Sequence, residues 1–237
     1  MHMKITVQRP CAVLRLFAGL FFLFMTFAAT AGNPDDWENN AATSIANVDG
    51  GNGKSFDHPI LIASAGELAY FARQVNDGGE ELTVGNGESI DKSSTSGTSG
   101  FSGYYFALSA DIDLEGKNWM PIGNGSTAYF CAHFDGKGHK VKGLKVKIGG
   151  DDISADVHAG LFGSVINGTL QNLGVELADE GIEAASTGYD VYAGGITGRI
   201  QGFGGAATLR NCYVEGKGAI KITGTGNGKS ASAGGIA

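Results

Sequence analysis

The chain has 237 residues, a length that accommodates one or two domains. It carries 17 Lys and Arg residues against 24 Asp and Glu residues, and this acidic balance argues against partners that need a basic surface, namely nucleic acid and anionic membranes. Forty glycines beside only four prolines, without a collagen-like period, favour short strands joined by tight turns over a fibrous or disordered chain.

The first 31 residues have the organisation of a secretory signal peptide. Three basic residues precede an apolar run at 16–27, and residues 29–31 form an A-x-A cleavage site. The apolar run is shorter than the roughly 20 residues of a membrane span, so we expect cleavage after about Ala31, with a retained signal anchor as the alternative. The mature chain is therefore predicted to be secreted or at the cell surface, without membrane insertion.

The next part of the chain changes from polar to periodic sequence. Residues 32–55 are rich in Gly and Asn, which is typical of a linker or a loosely ordered lead-in. Ser64 and Glu67 have the spacing of a capping box, and apolar residues at helical spacing follow them. We therefore predict a helix over about 64–77. Residues 78–100 are predicted to be a loop because Gly and Ser dominate them.

An internal repeat organises the second half of the chain. The segment 159–177 recurs at 193–216 and begins a third time at 233–237. The aligned sets are Ala159, Ala193 and Ala233; Gly160, Gly194 and Gly234; Phe162, Ile196 and Ile236; Leu170 and Leu209; Asn172 and Asn211; Leu173 and Cys212; Val175 and Val214. A degenerate earlier copy puts Val141, Gly143, Leu144 and Val146 in the slots of Leu170, Asn172, Leu173 and Val175.

Repeats of this kind bury their apolar faces only by stacking on one another. We therefore predict an all-β fold for residues 56–237, a parallel β-helix (β-solenoid) whose repeated coils begin at about residue 129. Its predicted ladders are Val141, Leu170 and Leu209; Val146, Val175 and Val214; and the amide pair Asn172 and Asn211. A β-propeller is the competing architecture, but the four-strand pattern of its blades is missing from the sequence.

Four blocks, in this order, resemble the opening of exported bacterial proteins that carry GLUG-motif repeats. They are HPILIASAGELAYFARQVNDG, GYYFALSADIDLEGKNWMPIG, FCAHFDGKGHKVKGLKVKI, and AGLFG followed by TLQNLGVEL. The resemblance implies a helix that caps a right-handed parallel β-helix, in cell-surface or secreted proteins that are often adhesin-like. Some members are non-catalytic regions of larger proteins, including IgA-cleaving metallopeptidases. Because this chain ends inside a repeat, we expect it to be truncated at its C-terminus.

Two patterns fall short of known ligand motifs. GNGKS occurs at 51–55 and at 226–230, but Val48 and Thr223 stand where a phosphate-binding loop needs its first glycine, so no nucleotide site is predicted. His133, Asp135 and His139 are candidate metal ligands, but their segment has the composition of a turn and lacks a further ligand at defined spacing. No metal or other cofactor is therefore predicted.

Acidic and aromatic residues provide the remaining candidates. Asp111, Asp113 and Glu115 would share one face of a strand, where carboxylates can act as acid and base or hold calcium. Exposed rings could instead line a glycan-binding groove, although rings more often pack within strands. The candidates are Tyr104, Tyr105, Trp119, Tyr129, Tyr189, Tyr192 and Tyr213.

Two smaller features of the sequence are its sequons and its cysteines. Asn124 and Asn167 begin N-x-S/T sequons, which chance produces readily in a Gly- and Asn-rich chain. Cys131 and Cys212 are the two cysteines of the mature chain; in an exported protein they could pair, but we expect Cys212 to be a small apolar residue of the repeat.

We predict a non-enzymatic, exported, adhesin-like module that binds a surface glycan or a protein and carries no catalytic residues. The alternatives are a β-helical carbohydrate-active enzyme that uses Asp111, Asp113 and Glu115, and a non-catalytic stalk of a larger surface protein. Whether a protein that continues beyond residue 237 has enzymatic activity is left open. Any binding is expected at the loops between repeats, because their lengths vary while the ladder positions stay in step.

Overall fold

The structure is a computed structural model that describes residues 33–77, 81–85, 87–91, 100–125, 128–150 and 153–237. These residues belong to the unit Ala31–Ala237. The predicted signal peptide lies outside the described residues. Within them, no helix combines the length and the apolar composition needed to cross a membrane.

The N-terminal part contains the one α-helix of the described residues. Its elements are a 3-10 helix at Trp37–Asn40, strand β1 at Ile60–Ile62, helix α1 at Ala65–Asn76, and an antiparallel hairpin of β2 (Glu81–Val84) and β3 (Glu88–Asp91). The helix was predicted from the sequence and is confirmed. The prediction of a loop over 78–100 is wrong at β2 and β3, where Leu82, Val84 and Ile90 are buried between Gly- and Ser-rich flanks.

Helix α1 begins as its sequence predicts. The Ser64 hydroxyl accepts a hydrogen bond from the Glu67 amide at 3.3 Å, which satisfies one of the free amides of the first turn. The Glu67 carboxylate does not return to Ser64 as in a capping box; it accepts from the amides of Ala63 (2.7 Å) and Ala46 (2.9 Å). The helix therefore holds two preceding segments at its N-terminus.

Residues 33–55, which composition describes as a linker, contribute to the core. Trp37 and Ile45 are buried, and the Trp37 indole N–H donates to the Leu114 carbonyl at 2.8 Å. Ile45 also forms a β-bridge with Val84. Two apolar residues in a long polar segment are too few to produce a periodic signal, which is why the sequence did not reveal this packing.

From residue 100 onward, every regular element of the described residues is a strand. The strands are β4 (Tyr105–Leu108), β5 (Ile112–Asp113), β6 (His133–Asp135), β7 (Lys140–Ile148), β8 (Val157–Ala159), β9 (Phe162–Ile166), β10 (Thr169–Gln171), β11 (Gly174–Ser186), β12 (Val191–Gly194), β13 (Thr197–Gln201), β14 (Thr208–Arg210), β15 (Tyr213–Gly216), β16 (Ile220–Gly224) and β17 (Ala231–Gly234).

These strands form four parallel sheets. Sheet A has the order β1-β4-β6-β10-β14, and sheet B has the order β5-β7-β11-β15, with β16 also paired to β11. Sheet C is β8-β12-β17, and sheet D is β9-β13. The four consecutive strands β8 to β11 therefore pair with the next four, β12 to β15, each with its counterpart. The predicted mainly β architecture, with parallel pairing and one α-helix in the described segments, is confirmed.

The register confirms much of the repeat alignment. Ala159 pairs with Ala193, and Ala193 with Ala233. Leu170 pairs with Leu209, and Val175 with Val214, as the repeats predicted. The Phe162 set is wrong by one residue, because Thr197 rather than Ile196 faces Phe162.

The alignment of the earliest copy is also wrong. Leu170 pairs with Phe134, not with Val141, and Val141 pairs with Val175. The alignment had placed Gly143 in the slot of Asn172, but Gly143 lies inside the continuous strand β7, where its φ of +67° accompanies an irregularity in the pairing with β11. The corner before this strand is at Gly136 to Gly138 instead, so Val146 faces Ile182 and belongs to a different ladder.

The predicted asparagine ladder is present at a corner between sheets A and B. Asn172 and Asn211 both have a φ of +52°, a left-handed conformation that asparagine tolerates better than most residues. The Asn211 side-chain amide donates to Asn172 Oδ1 at 3.1 Å, and the Asn172 amide donates to Asp135 Oδ1 at 3.0 Å. The ladder therefore continues to a carboxylate one repeat earlier.

The core is a continuous apolar cluster bounded on one side by α1. Phe71 of the helix packs on Phe106 with ring centroids 4.5 Å apart, and Phe134 contacts Phe162 at 5.3 Å. Leu170 is fully buried, whereas Leu209, its counterpart in the next strand, is only partly buried. Burial thus decreases from the helix end of sheet A toward β14.

Candidate functional site

The outer face of sheet A carries aligned side chains of which Arg210 is exposed, Ala107 and Gln171 are buried, and the others are half-buried. Successive residues of a strand point to opposite faces, so the burial of Phe106, Phe134 and Leu170 places their neighbours outside. Two outer columns result. The first is Tyr105, His133, Thr169 and Thr208, and the second is Ala107, Asp135, Gln171 and Arg210.

Three rings form an aromatic cluster at one end of the first column: Phe56, Tyr105 and His133. Tyr105 stacks on His133 with centroids 4.4 Å apart and planes 17° apart, and Phe56 meets Tyr105 edge-on at 4.5 Å. Phe56 keeps 41% of its surface exposed. Burial lowers the pKa of His133, and its Nδ1 has no hydrogen-bond partner among the described residues, so the ring presents a neutral face.

The second column forms an amide–guanidinium row of Asp135, Gln171 and Arg210. Gln171 Nε2 donates to Asp135 Oδ2 at 2.6 Å. Gln171 Oε1 accepts from Arg210 Nε at 2.8 Å and also from Arg210 Nη2. Gln171 is buried, and Asp135 also accepts from the Lys137 amide at 2.7 Å. These bonds hold the exposed guanidinium in a defined orientation.

The candidate metal residues do not converge. His133 belongs to the aromatic cluster and Asp135 to the amide–guanidinium row, while His139 Nδ1 lies 3.4 Å from Asp111. Across the described segments, no group of three or more His, Cys, Asp or Glu residues has the arrangement of a metal site. Asp135 instead acts as an acceptor for neighbouring amides.

The three candidate carboxylates, Asp111, Asp113 and Glu115, are exposed as expected, but each forms a hydrogen bond or an ion pair with a neighbouring residue. The pKa of Asp111 is lowered chiefly by the hydrogen bond from the Lys140 amide, and Lys142 lies 3.1 Å away. Asp113 accepts from the Glu115 amide at 2.7 Å. Glu115 pairs with the Lys117 ammonium at 2.9 Å. These contacts are those of turn acceptors and surface ion pairs.

The seven candidate aromatic residues lie on different surfaces. Tyr105 alone among them joins the aromatic cluster. Trp119 is buried and donates to the Leu161 carbonyl at 3.0 Å, and Tyr192 stacks on His158 at 5.2 Å. Tyr213 is 45% exposed on sheet B, where it packs over Gly174. A single groove lined by all seven is therefore excluded within the described residues.

The first GNGKS segment uses its backbone amides internally. The amides of Gly51 and Gly53 donate to the carbonyls of Pro59 and His58, both at 2.8 Å. Lys54 lies over the Tyr104 ring with its Nζ 3.5 Å from the centroid. These amides and this ammonium are thus committed to the protein, in contrast to the converging donors of a phosphate-binding loop.

Cys131 and Cys212 are not joined by a disulfide bond. Cys131 is buried and Cys212 is partly buried, and burial raises the pKa of the Cys212 thiol. Cys212 packs against the apolar core, as its place in the repeat predicted.

Sequence reasoning missed six members of this surface: Phe56, Ala107, Thr169, Thr208, Gln171 and Arg210. The alignment of Leu170 with Leu209 already placed Gln171 beside Arg210 in neighbouring strands. A search for complementary polar side chains next to the apolar ladder would have found this pair. Comparison of the chain with protein-family models, curated proteins and solved structures finds no match.

Proposed function

We propose that this chain is an exported, non-enzymatic, adhesin-like surface module that binds a glycan or a protein through the outer face of sheet A. The observation that carries this proposal is the combination of an exposed aromatic cluster and a pre-oriented amide–guanidinium row on one sheet. Aromatic residues and arginine are the side chains that most often dominate binding energy at interfaces. Sheet A holds Tyr105, His133 and Arg210 without the entropy cost of ordering a loop.

Adhesion of the mature protein to cells tests this proposal. We expect Phe56→Ala to weaken adhesion roughly 5- to 30-fold, as loss of an exposed aromatic anchor does at interfaces. Tyr213→Ala is the matched control, because Tyr213 has a similar exposure, 45% against 41%, on a different sheet. Equal effects of the two substitutions, or adhesion that neither changes, would remove sheet A from the binding surface.

The finer architecture proposed here is a right-handed parallel β-helix of GLUG-like repeats, capped by α1. Parallel pairing of β8 to β11 with β12 to β15 supports it, since each strand has its counterpart in the following repeat. Crossover connections between parallel strands are right-handed in nearly all proteins, which favours that hand. An experimental structure in which sheets A to D do not close around one core would contradict the proposal.

Export is the third part of the proposal and rests on the N-terminal sequence. Expression of the full-length chain in a bacterium should yield a mature protein outside the cytoplasm that begins at about Gly32. N-terminal sequencing of the secreted or surface fraction measures this directly. A chain that keeps residues 1–31 and remains in the cytoplasm would contradict it.

A further inference from the structure

The side chains of the first outer column of sheet A change abruptly in size from one strand to the next. The tall rings of Tyr105 and His133 are followed, on the next two strands, by the short side chains of Thr169 and Thr208. Adjacent strands lie about 4.8 Å apart, so the two threonines extend a low floor for about 10 Å beyond the His133 ring. His133 stacks on Tyr105 through one face, which leaves its other face directed along this floor.

One side of this floor is the amide–guanidinium row. Gln171 and Arg210 lie two residues along from Thr169 and Thr208, about 6.6 Å away at the backbone. We call the space bounded by His133, Thr169, Thr208, Gln171 and Arg210 the sheet A notch. Both threonines are half-buried, and a threonine hydroxyl can donate and accept hydrogen bonds, so these side chains can serve a ligand.

Arg210 is the charged member of the notch. Its Nε and Nη2 atoms donate to Gln171 Oε1, which leaves the Nη1 side of the guanidinium open to solvent. No carboxylate of the described segments forms an ion pair with Arg210. A planar guanidinium with a free edge binds a carboxylate through two parallel hydrogen bonds.

We propose that the sheet A notch binds a pyranose sugar that bears a carboxylate, such as a uronic or sialic acid. The C–H face of the sugar packs on the free face of His133, its hydroxyls meet Thr169 and Thr208, and its carboxylate binds Arg210. The breadth of a pyranose ring is close to one strand spacing, so a ring over Thr169 contacts His133 and reaches toward Arg210. This inference rests on the proposed binding function and assigns its ligand class.

The acidic surface of the protein does not prevent this binding. Charges beyond about 8 Å are largely screened at physiological ionic strength, so the local guanidinium decides the interaction. Asp135, the acid at the other end of the row, is occupied by bonds from Gln171, Asn172 and the Lys137 amide. The guanidinium stands two strands away from it, on β14.

Titration calorimetry with paired oligosaccharides tests the proposal on the mature protein. The pairs are sialyllactose with its methyl ester, and trigalacturonate with galactotriose, so that each pair differs in its carboxylates. We expect the acidic sugar of at least one pair to bind roughly 10-fold more tightly than its neutral partner, since hydrogen bonds to charged groups contribute strongly. Which acidic sugar binds more tightly distinguishes sialate from uronate.

Variants assign the binding to the notch. Arg210→Gln should reduce the affinity for the acidic sugar roughly 10-fold and leave weak binding of the neutral sugar unchanged. Lys217→Gln is the matched control, because it removes one exposed positive charge elsewhere on the chain. Thr208→Tyr fills the notch without altering the row and should abolish binding of both sugars. Equal losses for Arg210→Gln and Lys217→Gln, or equal affinities for acidic and neutral sugars, would overturn the proposal.

A parallel adhesion assay separates this inference from the proposed function. Cells are compared before and after enzymatic removal of surface glycans. Adhesion that depends on glycans and falls with Thr208→Tyr supports the notch. Adhesion that survives glycan removal overturns the sugar proposal while the binding module stands, and a protein that adheres under neither condition overturns both.

Discussion

His158 is a buried histidine that the sequence did not single out, and it gives the protein a defined response to acid. It stacks on Tyr192, is only 2% exposed, and its Nδ1 has no partner among the described residues. Gly125 packs directly against the ring, where a Cβ would lie 2.1 Å from the imidazole. Burial, and then the charge of Arg199, lowers the pKa of His158 to about 4, with Asp156 opposing the shift.

This pKa shift predicts that the protein loses stability as the pH falls. The unfolded histidine titrates near 6.5, so between pH 6.5 and 4 the unfolded state binds the proton and the folded state does not. The free energy of unfolding should therefore fall by about 2.5 kcal/mol between pH 7.5 and 4.5 on account of this residue. Urea unfolding at both pH values should show that His158→Phe removes this part of the pH dependence.

His58→Phe is the control for this measurement, because His58 is exposed. It should leave the pH dependence as it is in the unmodified protein. Carboxylates contribute to acid sensitivity in every variant, so only the difference between variants bears on His158. A His158→Phe protein with unchanged pH dependence would show that the ring is protonated in the folded state.

Asn167 holds the loop at 202–207 by its side chain. Its Nδ2 donates to the Phe203 carbonyl at 2.9 Å, and its Oδ1 accepts from the Phe203 amide at 2.6 Å. Asn167 also has a φ of +54°, a conformation that suits asparagine and glycine. Because the side-chain amide is already bonded in both directions, we expect the Asn167 sequon to be poorly glycosylated in the folded protein.

Asn167→Gly removes the two hydrogen bonds between the Asn167 side chain and Phe203 without straining the backbone. Loss of the bond to the Phe203 amide should accelerate hydrogen exchange at that amide roughly 5-fold, since one hydrogen bond contributes about 1 kcal/mol. Asn124→Gly, in the other sequon, should leave this exchange unchanged. If the Phe203 amide exchanges at its original rate in Asn167→Gly, the Asn167 side chain does not hold this loop. Asn167→Ala should be less stable than Asn167→Gly by about 1 kcal/mol, because alanine is strained at positive φ.

At the scale of elements, Glu67 joins α1 to the segments that precede it. Its two carboxylate oxygens accept from the amides of Ala46 and Ala63, and the residue is 8% exposed. Glu67→Gln replaces one acceptor by an NH₂ group that opposes a backbone N–H. We expect it to lower the free energy of unfolding by about 2 kcal/mol, more than the roughly 1 kcal/mol for Ser64→Ala.

Chemical denaturation of three variants measures this difference. Glu81→Gln is the control, because Glu81 is an exposed residue of β2 and should change stability by less than about 0.5 kcal/mol. If Glu67→Gln is as mild as Glu81→Gln, the carboxylate does not tether the N-terminal segments.

The sequence was informative wherever a local pattern determined an element. Ser64, Glu67 and the apolar period located α1, and the repeated apolar residues located β10 with β14 and β11 with β15. The hairpin β2–β3 was missed because its alternation is short and its flanks are Gly- and Ser-rich. The earliest copy was misaligned because a single glycine in a strand-like sequence can indicate either a turn or an irregularity within one strand. Gly143 is of the second kind, since it lies within β7.

The candidate site was less predictable than the fold. The aromatic cluster combines Phe56, from a polar segment, with Tyr105 and His133, from strands separated by a long connection. Its members come together only through the register of sheet A, which sequence patterns did not provide for β4 and β6. Among the candidates named from sequence, Tyr105, His133 and Asp135 do belong to this face, but as parts of the aromatic cluster and the row.

At the scale of the whole molecule, parallel stacking makes the stability of a position depend on its neighbours on both sides. Leu170 is fully buried between Phe134 and Leu209, whereas Leu209 has a paired strand on one side only and is partly buried. Stacked repeats gain most of their stability from interfaces between neighbours. The same leucine-to-alanine change should therefore have different effects at these two ladder positions.

We expect Leu170→Ala to reduce the free energy of unfolding by about 2–5 kcal/mol and Leu209→Ala by less than half as much. Amide exchange should follow the same order, with β10 and β11 protected more strongly than β14 and β15. Urea unfolding monitored by fluorescence, combined with exchange mass spectrometry, measures both quantities. Equal destabilisation by the two substitutions would contradict this prediction. It would mean that a paired strand on each side of Leu170 does not increase the contribution of this residue to the free energy of unfolding.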